Sequence, residues 1–185
     1  MVLTAKERLQ EWKFKTDRLV LLIHYRLITM SFWRKIMTAG VYCNRQVVIT
    51  GPDTTISEVA KLMREYHVGN LIVAEKQGDK NVPLGIITDR DLVLLVLAPQ
   101  ISVDSVSVKD VMSSPLVTVK EELGLFDTLD VMHKHGMRRL PVVNERGGLE
   151  GIITADDVLG VLAEATNSLM KLTNNEIKHE QETRS

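Results

Sequence analysis

Cysteine, aromatic residues and long apolar runs are all scarce in this 185-residue chain, and each scarcity excludes a class of protein. The single cysteine, Cys43, rules out an internal disulfide, which fits the reducing cytoplasm, and we expect it to be a small packing residue. The apolar run 19–23 is too short to cross a bilayer, and no small-residue cleavage site follows it as in a signal peptide. A net charge of −1 argues against general nucleic-acid binding, which needs a basic surface.

The first 36 residues differ in composition from the rest of the chain. They hold eight Lys and Arg against three Asp and Glu, and five of the eight aromatic residues. Three interpretations of this basic extension stay open. It is an amphipathic helix that touches a membrane or a partner, a helix that packs on the main body, or the result of a misplaced start, with translation beginning at Met30 or Met37.

The rest of the chain contains an internal repeat. The segment GIITDRD at 85–91 recurs as GIITADD at 151–157. When Met63 is placed on Met132, an offset of 69 positions aligns the apolar residues before each segment. A shorter loop in the second unit reduces the offset to 66 at the segments themselves. The chain therefore holds two units of similar order.

Each unit is predicted to run strand, helix, strand, strand, helix. Thr55-x-x-Glu58 is a capping box that marks a helix start, and an apolar stripe at helical spacing follows it. Residues 108–112 are expected to begin the second unit, with 34–37 loosely equivalent in the first. The polar tail from 174 is expected to be frayed. The predicted strands are 47–50, 71–74 and 84–88, then 116–119, 140–143 and 149–154, and the final helices are 89–98 and 155 to about 165.

The stretch 92–97 (LVLLVL) is apolar all round, so a helix there must be covered on several sides. The neighbouring unit cannot easily supply all of that cover. A second chain is therefore expected, which indicates a homodimer.

A hydroxyl and a carboxylate stand three residues apart where the last strand of each unit meets its helix. They are Thr88 and Asp91 in the first unit and Thr154 and Asp157 in the second. Free N–H groups and the helix dipole attract phosphate at such a corner, and a carboxylate can accept both hydroxyls of a ribose. The same pattern is also an ordinary helix cap. Both interpretations are open, and one residue pair can serve both.

The charge beside the two corners differs. Arg138 and Arg139 in the second unit stand where the first has Gly69 and Asn70. Guanidinium groups bind phosphate well, so the two corners are expected to bind phosphate unequally. Arg90 occurs only at the first corner.

Metal binding and catalysis find little support in the pattern. His133 and His135 have no Cys, Asp or Glu partners at ligand spacing, so no metal site is expected. Asp89 and Asp91 have no nucleophile or base to join them, and the same holds for the second unit. The chain is therefore not expected to be an enzyme.

Together these motifs resemble a tandem pair of cystathionine β-synthase (CBS) domains, also called a Bateman module. The resemblance covers about 37–172 and rests on KDVM at 109–112, RLPVV at 139–143 and the two GIIT-x-x-D segments. It implies an α+β fold in which two βαββα repeats pack about a pseudo-twofold axis, each a small sheet with helices on one side. The opening MTAGVYCNR at 37–45 is similar to small stand-alone bacterial members, which favours a late start.

The resemblance also implies a ligand. Family members typically bind AMP, ATP, NAD or S-adenosylmethionine between the repeats, and two modules commonly form a disk that regulates an enzyme or transporter. Ile72 departs from the proline that the family often has. By resemblance the adenine slots involve the end of the first strand and the turn before the second, which here are Thr50, Pro52, Val68, Gly69 and Asn70, then Val119, Met137, Arg138 and Arg139.

The expected organisation is a basic extension at 1–36, a first repeat at 37–100, a second at 101–172 and a polar tail at 173–185. The expected function is a cytoplasmic sensor of an adenosine-containing nucleotide (AMP, ADP, ATP, NAD or S-adenosylmethionine) that needs no further cofactor and signals to an unidentified effector protein. The alternative is a dimeric interaction scaffold with vestigial ligand sites.

Overall fold

The computed structural model describes residues 37–183, so the basic extension at 1–36 lies outside the described residues. The fold is α+β and consists of two repeats with the same order of elements, as the sequence predicts. A short helix α1 (Ala39–Tyr42) precedes them. The first repeat contains β1 (Ile49–Thr50), α2 (Ile56–Tyr66), β2 (Asn70–Gln77), β3 (Lys80–Thr88) and α3 (Asp89–Asp91), which continues as a π-helix (Leu92–Leu97). The second contains β4 (Val119–Lys120), α4 (Leu125–His135), β5 (Arg139–Val143), β6 (Leu149–Thr154) and α5 (Ala155–Thr183).

Each repeat forms a three-stranded sheet in which the first strand is parallel to the second and the second is antiparallel to the third. One face of each sheet packs on helices. In the first repeat Leu71 and Val73 of β2 are buried against Ile56 and Val59 of α2. The second repeat forms an equivalent core with Leu140, Val142, Ile153, Leu125 and Val158. Fully burying such a side chain contributes about 1.5–3 kcal/mol, so helix and sheet hold each other in place.

The other faces of the two sheets meet. Alternation along β2 turns Ile72 and Ala74 away from the helices, and they form a third buried cluster with Ile152 of β6. Sheet faces buried on both sides explain the near-continuous apolar strands. The predicted pseudo-twofold packing, with helices on one side of each sheet, is confirmed.

Two segments cross from one repeat to the other. The first crossing segment, residues 37–44, packs in the second repeat, where Ala39 and Cys43 are core residues. The second crossing segment, residues 106–113, packs in the first repeat around Val108. Equivalent hydrogen bonds fix both: Leu125 N donates to Met37 O at 2.9 Å, and Ile56 N donates to Val106 O at 3.2 Å.

These contacts correct one expected equivalence. Residues 34–37 were predicted to match the start of the second unit at 108–112, but bridges Thr38–Gly124 and Thr55–Ser107 place 39–43 there instead. Cys43 is then the counterpart of Met112. Cys43 is buried as a packing residue, as expected, and burial raises the pKa of its thiol.

Two predicted final helices differ from the observed ones. The first is α-helical only for Asp89–Asp91 and then becomes a π-helix. Because the segment is apolar all round, its sequence has no periodicity from which the helical pitch could be predicted. The second extends to Thr183 rather than about 165, through the segment expected to be frayed. Beyond Gly160 the helix contains neither glycine nor proline, and extending a nucleated helix costs little per residue.

Candidate functional site

The two strand-to-helix corners have the same hydrogen bonds. At the first corner Thr88 N and Oγ1 donate to Asp91 Oδ2 at 2.9 and 2.7 Å, and Asp91 N donates to Thr88 Oγ1 at 3.2 Å. At the second corner Thr154 N and Oγ1 donate to Asp157 Oδ2, both at 2.7 Å, and Asp157 N donates to Thr154 Oγ1 at 3.1 Å. The sequence pairs are therefore brought together as predicted, and each acts as a helix cap.

Each capping carboxylate retains binding capacity. All the bonds use Oδ2, and Oδ1 of Asp91 and of Asp157 accepts no hydrogen bond from residues 37–183. A carboxylate has about four acceptor positions. Both residues are also only half-buried, so the carboxylates are partly accessible from outside the fold.

Among residues 37–183, two further capping boxes occur away from the corners. Thr55 and Glu58 form the predicted one at the start of α2. Sequence reasoning missed the other, Ser107 and Asp110, although its serine and carboxylate have the same spacing of three. The Ser107 hydroxyl and N–H donate to Asp110 and hold the pKa of that carboxyl below its ordinary value. Spacing alone therefore does not identify a ligand site. The two corners differ from the other capping boxes in that each lies at the end of the last strand of its repeat, β3 or β6.

Cross-strand pairing determines which side chains lie beside the threonine of each corner. Asn70 is paired directly with Thr88, and Arg139 with Thr154. Side chains of directly paired residues in antiparallel strands lie on the same face of the sheet. The first corner therefore has an amide beside its hydroxyl and the second has an exposed guanidinium.

The remaining charged candidates are arranged differently. The Arg138 guanidinium donates to Asp156 at 3.0 Å, so its charge is already paired, in an exposed ion pair. Arg90 is exposed, and its backbone N–H donates to Asp89 Oδ1 at 2.8 Å. Of the arginines predicted for the second corner, Arg138 thus has an ion-pair partner and Arg139 has none among the described residues.

The backbone before each second strand contacts its corner. Gly69 O accepts from Asp89 N at 3.0 Å, and Arg138 O accepts from Ala155 N at 2.9 Å. Val68 and Met137 are half-buried and pack on the first and second cores. These turns lie beside the corners, while their contact with adenine stays a prediction.

Three other candidates have different surroundings. Thr50 is buried, donates to Thr54 Oγ1 at 2.8 Å and lines a cavity of about 360 Å³ along α2. The Pro52 carbonyl accepts from Lys109 N at 3.1 Å, and the neighbouring Asp53 raises the pKa of Lys109 through a hydrogen bond of 2.6 Å. Val119 is buried in the second core. Their place in an adenine slot also stays a prediction.

Between residues 37 and 183, no group of three or more His, Cys, Asp or Glu side chains is arranged to hold a metal ion. Within that range, no helix combines the length and the hydropathy that crossing a bilayer requires.

Comparison with known proteins identifies relatives over most of the described chain. Protein MK0525 of Methanopyrus kandleri is 37% identical over 125 residues, which cover 68% of this chain and 62% of that protein. The match thus spans about three fifths of this relative's length. Hypoxic response protein 1 of Mycobacterium tuberculosis is 32% identical over 135 residues, 73% of this chain and 87% of that protein.

Solved structures have the same fold. The structure of Hypoxic Response Protein I with two coordinated zinc ions matches with a TM-score of 0.57 and 29% identity over 66% of this chain and 97% of that one. The cytosolic domain of the Mg²⁺ channel MgtE, in complex with ATP, matches with a TM-score of 0.58 and 25% identity over 68% of this chain and 48% of that one.

A family model decides the assignment. The model of the CBS domain matches twice, at residues 39–98 and 108–164. These boundaries agree with the equivalence of 39–43 and 108–112 in the structure, and together the matches cover more than half of the chain. The chain belongs to the CBS domain family, as a tandem pair of CBS repeats.

Proposed function

We propose that this CBS pair is a cytoplasmic regulatory module that binds an adenosine-containing nucleotide at its two corners, without turning it over, and signals to a partner protein. The observation that carries the proposal is the duplicated corner, where a capping carboxylate keeps one oxygen open beside a threonine hydroxyl. The carboxylate suits a ribose, and the start of the 29-residue helix α5 suits a phosphate. The complex of the MgtE domain with ATP supports this choice of ligand class.

A panel of ligands tests the proposal. AMP, ADP, ATP, NAD and S-adenosylmethionine would each be added to the pure protein while its melting temperature is recorded. A ligand that binds only the folded state, at one hundred times its Kd, stabilises by about 2.7 kcal/mol. For a chain of this size that corresponds to a rise of about 5–10 °C. If none of the five compounds raises the melting temperature at millimolar concentration, the nucleotide proposal fails.

A second candidate function, a dimeric interaction scaffold, is favoured by the π-helix. Val93, Leu94, Leu95 and Leu97 are all exposed in the single chain, and an apolar surface of this kind marks an interaction site. The scaffold requires stable dimers without nucleotide and a co-purifying protein partner. Sedimentation of the ligand-free protein as a monomer would count against it.

The difference between Asn70 and Arg139 gives a prediction about phosphate. Arg139→Asn should weaken AMP binding at the second corner about tenfold or more, because a hydrogen bond to a charged group contributes about 1.5–3 kcal/mol. Adenosine, which lacks the phosphate, should bind this variant and the unmodified protein equally. Isothermal titration with both ligands measures the two affinities.

Arg138→Asn is the matched control. Its guanidinium is already paired with Asp156, so AMP affinity should fall less than in Arg139→Asn. An equal loss of AMP and adenosine affinity in Arg139→Asn would mean that Arg139 supports the fold of the corner and does not contact phosphate.

A further inference from the structure

Helix α5 continues far beyond the repeat to which it belongs. The equivalent helix of the first repeat ends at Leu97, which corresponds to position 163 by the offset of 66. The second match to the CBS family model likewise ends at residue 164, whereas α5 reaches Thr183. At a rise of about 1.5 Å per residue, the extension from 165 to 183 is roughly 28 Å long. The two family-matched repeats therefore do not explain this extension.

An apolar stripe runs along one side of α5 and into the extension. Val158, Leu162, Ala165, Leu169 and Leu172 follow one another at alternating spacings of four and three residues, which places them on one face of the helix. The stripe begins in the second core, where Val158 is buried. Further along, residues 37–183 leave it largely uncovered, since Leu169 is 65% and Leu172 67% exposed. The face that packs on the second core thus continues as an exposed apolar surface.

The extension has little helical stability of its own. Thr, Ser and Asn occupy 7 of the 19 positions from 165 to 183, and these residue types rank low in helix propensity. Although each residue added to a nucleated helix costs little, most helical stability in proteins comes from packing an apolar face. The structure nevertheless keeps the segment helical to Thr183. This combination indicates that the apolar stripe packs against a further surface.

Charge and spacing suit a second copy of the same chain. Between 159 and 173 the only charged residues are Glu164 and Lys171, and helical periodicity places both on the side of α5 away from the stripe. The residues that flank the stripe are polar and uncharged, namely Thr166, Ser168 and Thr173. Flanking charges normally select or reject a partner helix. Two identical stripes can therefore meet without bringing like charges together, as twofold pairing requires.

We propose that the stripe formed by Leu162, Ala165, Leu169 and Leu172 packs on the same stripe of a second copy, so that two α5 helices pair about a twofold axis. This contact is separate from the exposed π-helix of the first repeat. It joins two chains whether or not the corners bind a nucleotide, so it stands independently of the proposed ligand.

Leu169→Asp and Leu172→Asp test the pairing in the full-length chain. Each change places a charge in the contact, and burying an unpaired charge is costly, so the dissociation constant of the dimer should rise about a hundredfold or more. Sedimentation equilibrium over a concentration series measures this constant. Asn167→Asp is the matched control, because it adds the same charge at an exposed position on the opposite side of α5 and should leave the constant unchanged.

Three results would overturn the proposal. One is an unmodified protein that stays monomeric at high micromolar concentration. Another is a dimer that Leu169→Asp and Leu172→Asp leave as tight as Asn167→Asp does, in variants whose circular dichroism shows a normal fold. A dimer that is weakened in that case by Leu94→Asp, a change at an exposed residue of the π-helix, would assign the contact to the first repeat. The third is an equal loss in Asn167→Asp, which would attribute the effect to added charge alone.

Discussion

Gly151→Ala is expected to destabilise the protein by about 3 kcal/mol, at the upper end of what overpacking a core costs. A Cβ at residue 151 would lie 2.6 Å from Cys43 Sγ and 2.7 Å from the Asn44 carbonyl oxygen. That carbonyl is held by Ile152 N at 2.9 Å, while Asn44 N donates to Ile152 O at 2.8 Å. The first crossing segment cannot move away without breaking these bonds. Urea denaturation measures the loss, and the melting temperature should fall by about 10 °C.

Gly160→Ala is a control for which the expected change in stability has the opposite sign. A Cβ at residue 160 meets nothing within 4 Å, and Gly160 lies within helix α5. Alanine there should stabilise the protein by about 0.5–1 kcal/mol, because glycine is the poorer helix former. A Gly151→Ala variant as stable as Gly160→Ala would show that the crossing segment is not packed on β6.

The equivalent glycine in the first repeat allows crowding of a new Cβ by a side chain to be compared with crowding by the backbone. A Cβ at Gly85 would meet the Met112 side chain, with Cγ at 2.8 Å, and a flexible methionine can yield. Met112→Ala should therefore rescue much of the cost of Gly85→Ala. Cys43→Ala should not rescue Gly151→Ala, since the Asn44 carbonyl remains in place. Full rescue by Cys43→Ala would contradict the close backbone approach.

Asp157→Ala is expected to weaken nucleotide binding at the second corner more than about tenfold, since losing hydrogen bonds to a charged group costs about 1.5–3 kcal/mol. The same change should cost only about 1 kcal/mol of folding stability, the usual value of a helix cap. Isothermal titration with the best ligand of the panel measures the first quantity, and urea denaturation measures the second.

Two controls separate the ligand role of Asp157 from its other effects. Glu58→Ala removes the equivalent carboxylate from the capping box of α2, so it should cost similar stability and leave affinity unchanged. Asp156→Ala removes the adjacent charge without touching the cap and frees Arg138, so AMP affinity should hold or rise. Unchanged affinity in Asp157→Ala would remove this residue from the site.

Local patterns predicted the elements whose cause is local. The capping box at Thr55, the apolar stripe of α2 and the apolar strand β6 depend on neighbouring residues only, and the structure contains all three. The corner hydrogen bonds of Thr88 and Thr154 follow from the same short spacing. The family resemblance supplied what such patterns could not, namely the packing of the two repeats about a pseudo-twofold axis.

Features with a distant cause were not predictable. The crossing segments depend on contacts such as Cys43 with Gly151, which are more than one hundred positions apart. His67, the residue that caps the end of α2, adopts the left-handed conformation, although Gly69 nearby is the residue type that favours it. Ligand binding at each corner was equally not predictable from the sequence pattern, because a helix cap and a ribose site use the same carboxylate.

The exchange of segments also determines what each half of the chain can do alone. A fragment that stops after the π-helix lacks Val108, and one that starts after it lacks Ala39 and Cys43, so neither has a complete interior. The two halves are therefore expected to unfold as one cooperative unit, and a ligand that binds either corner of the folded chain is expected to stabilise both halves.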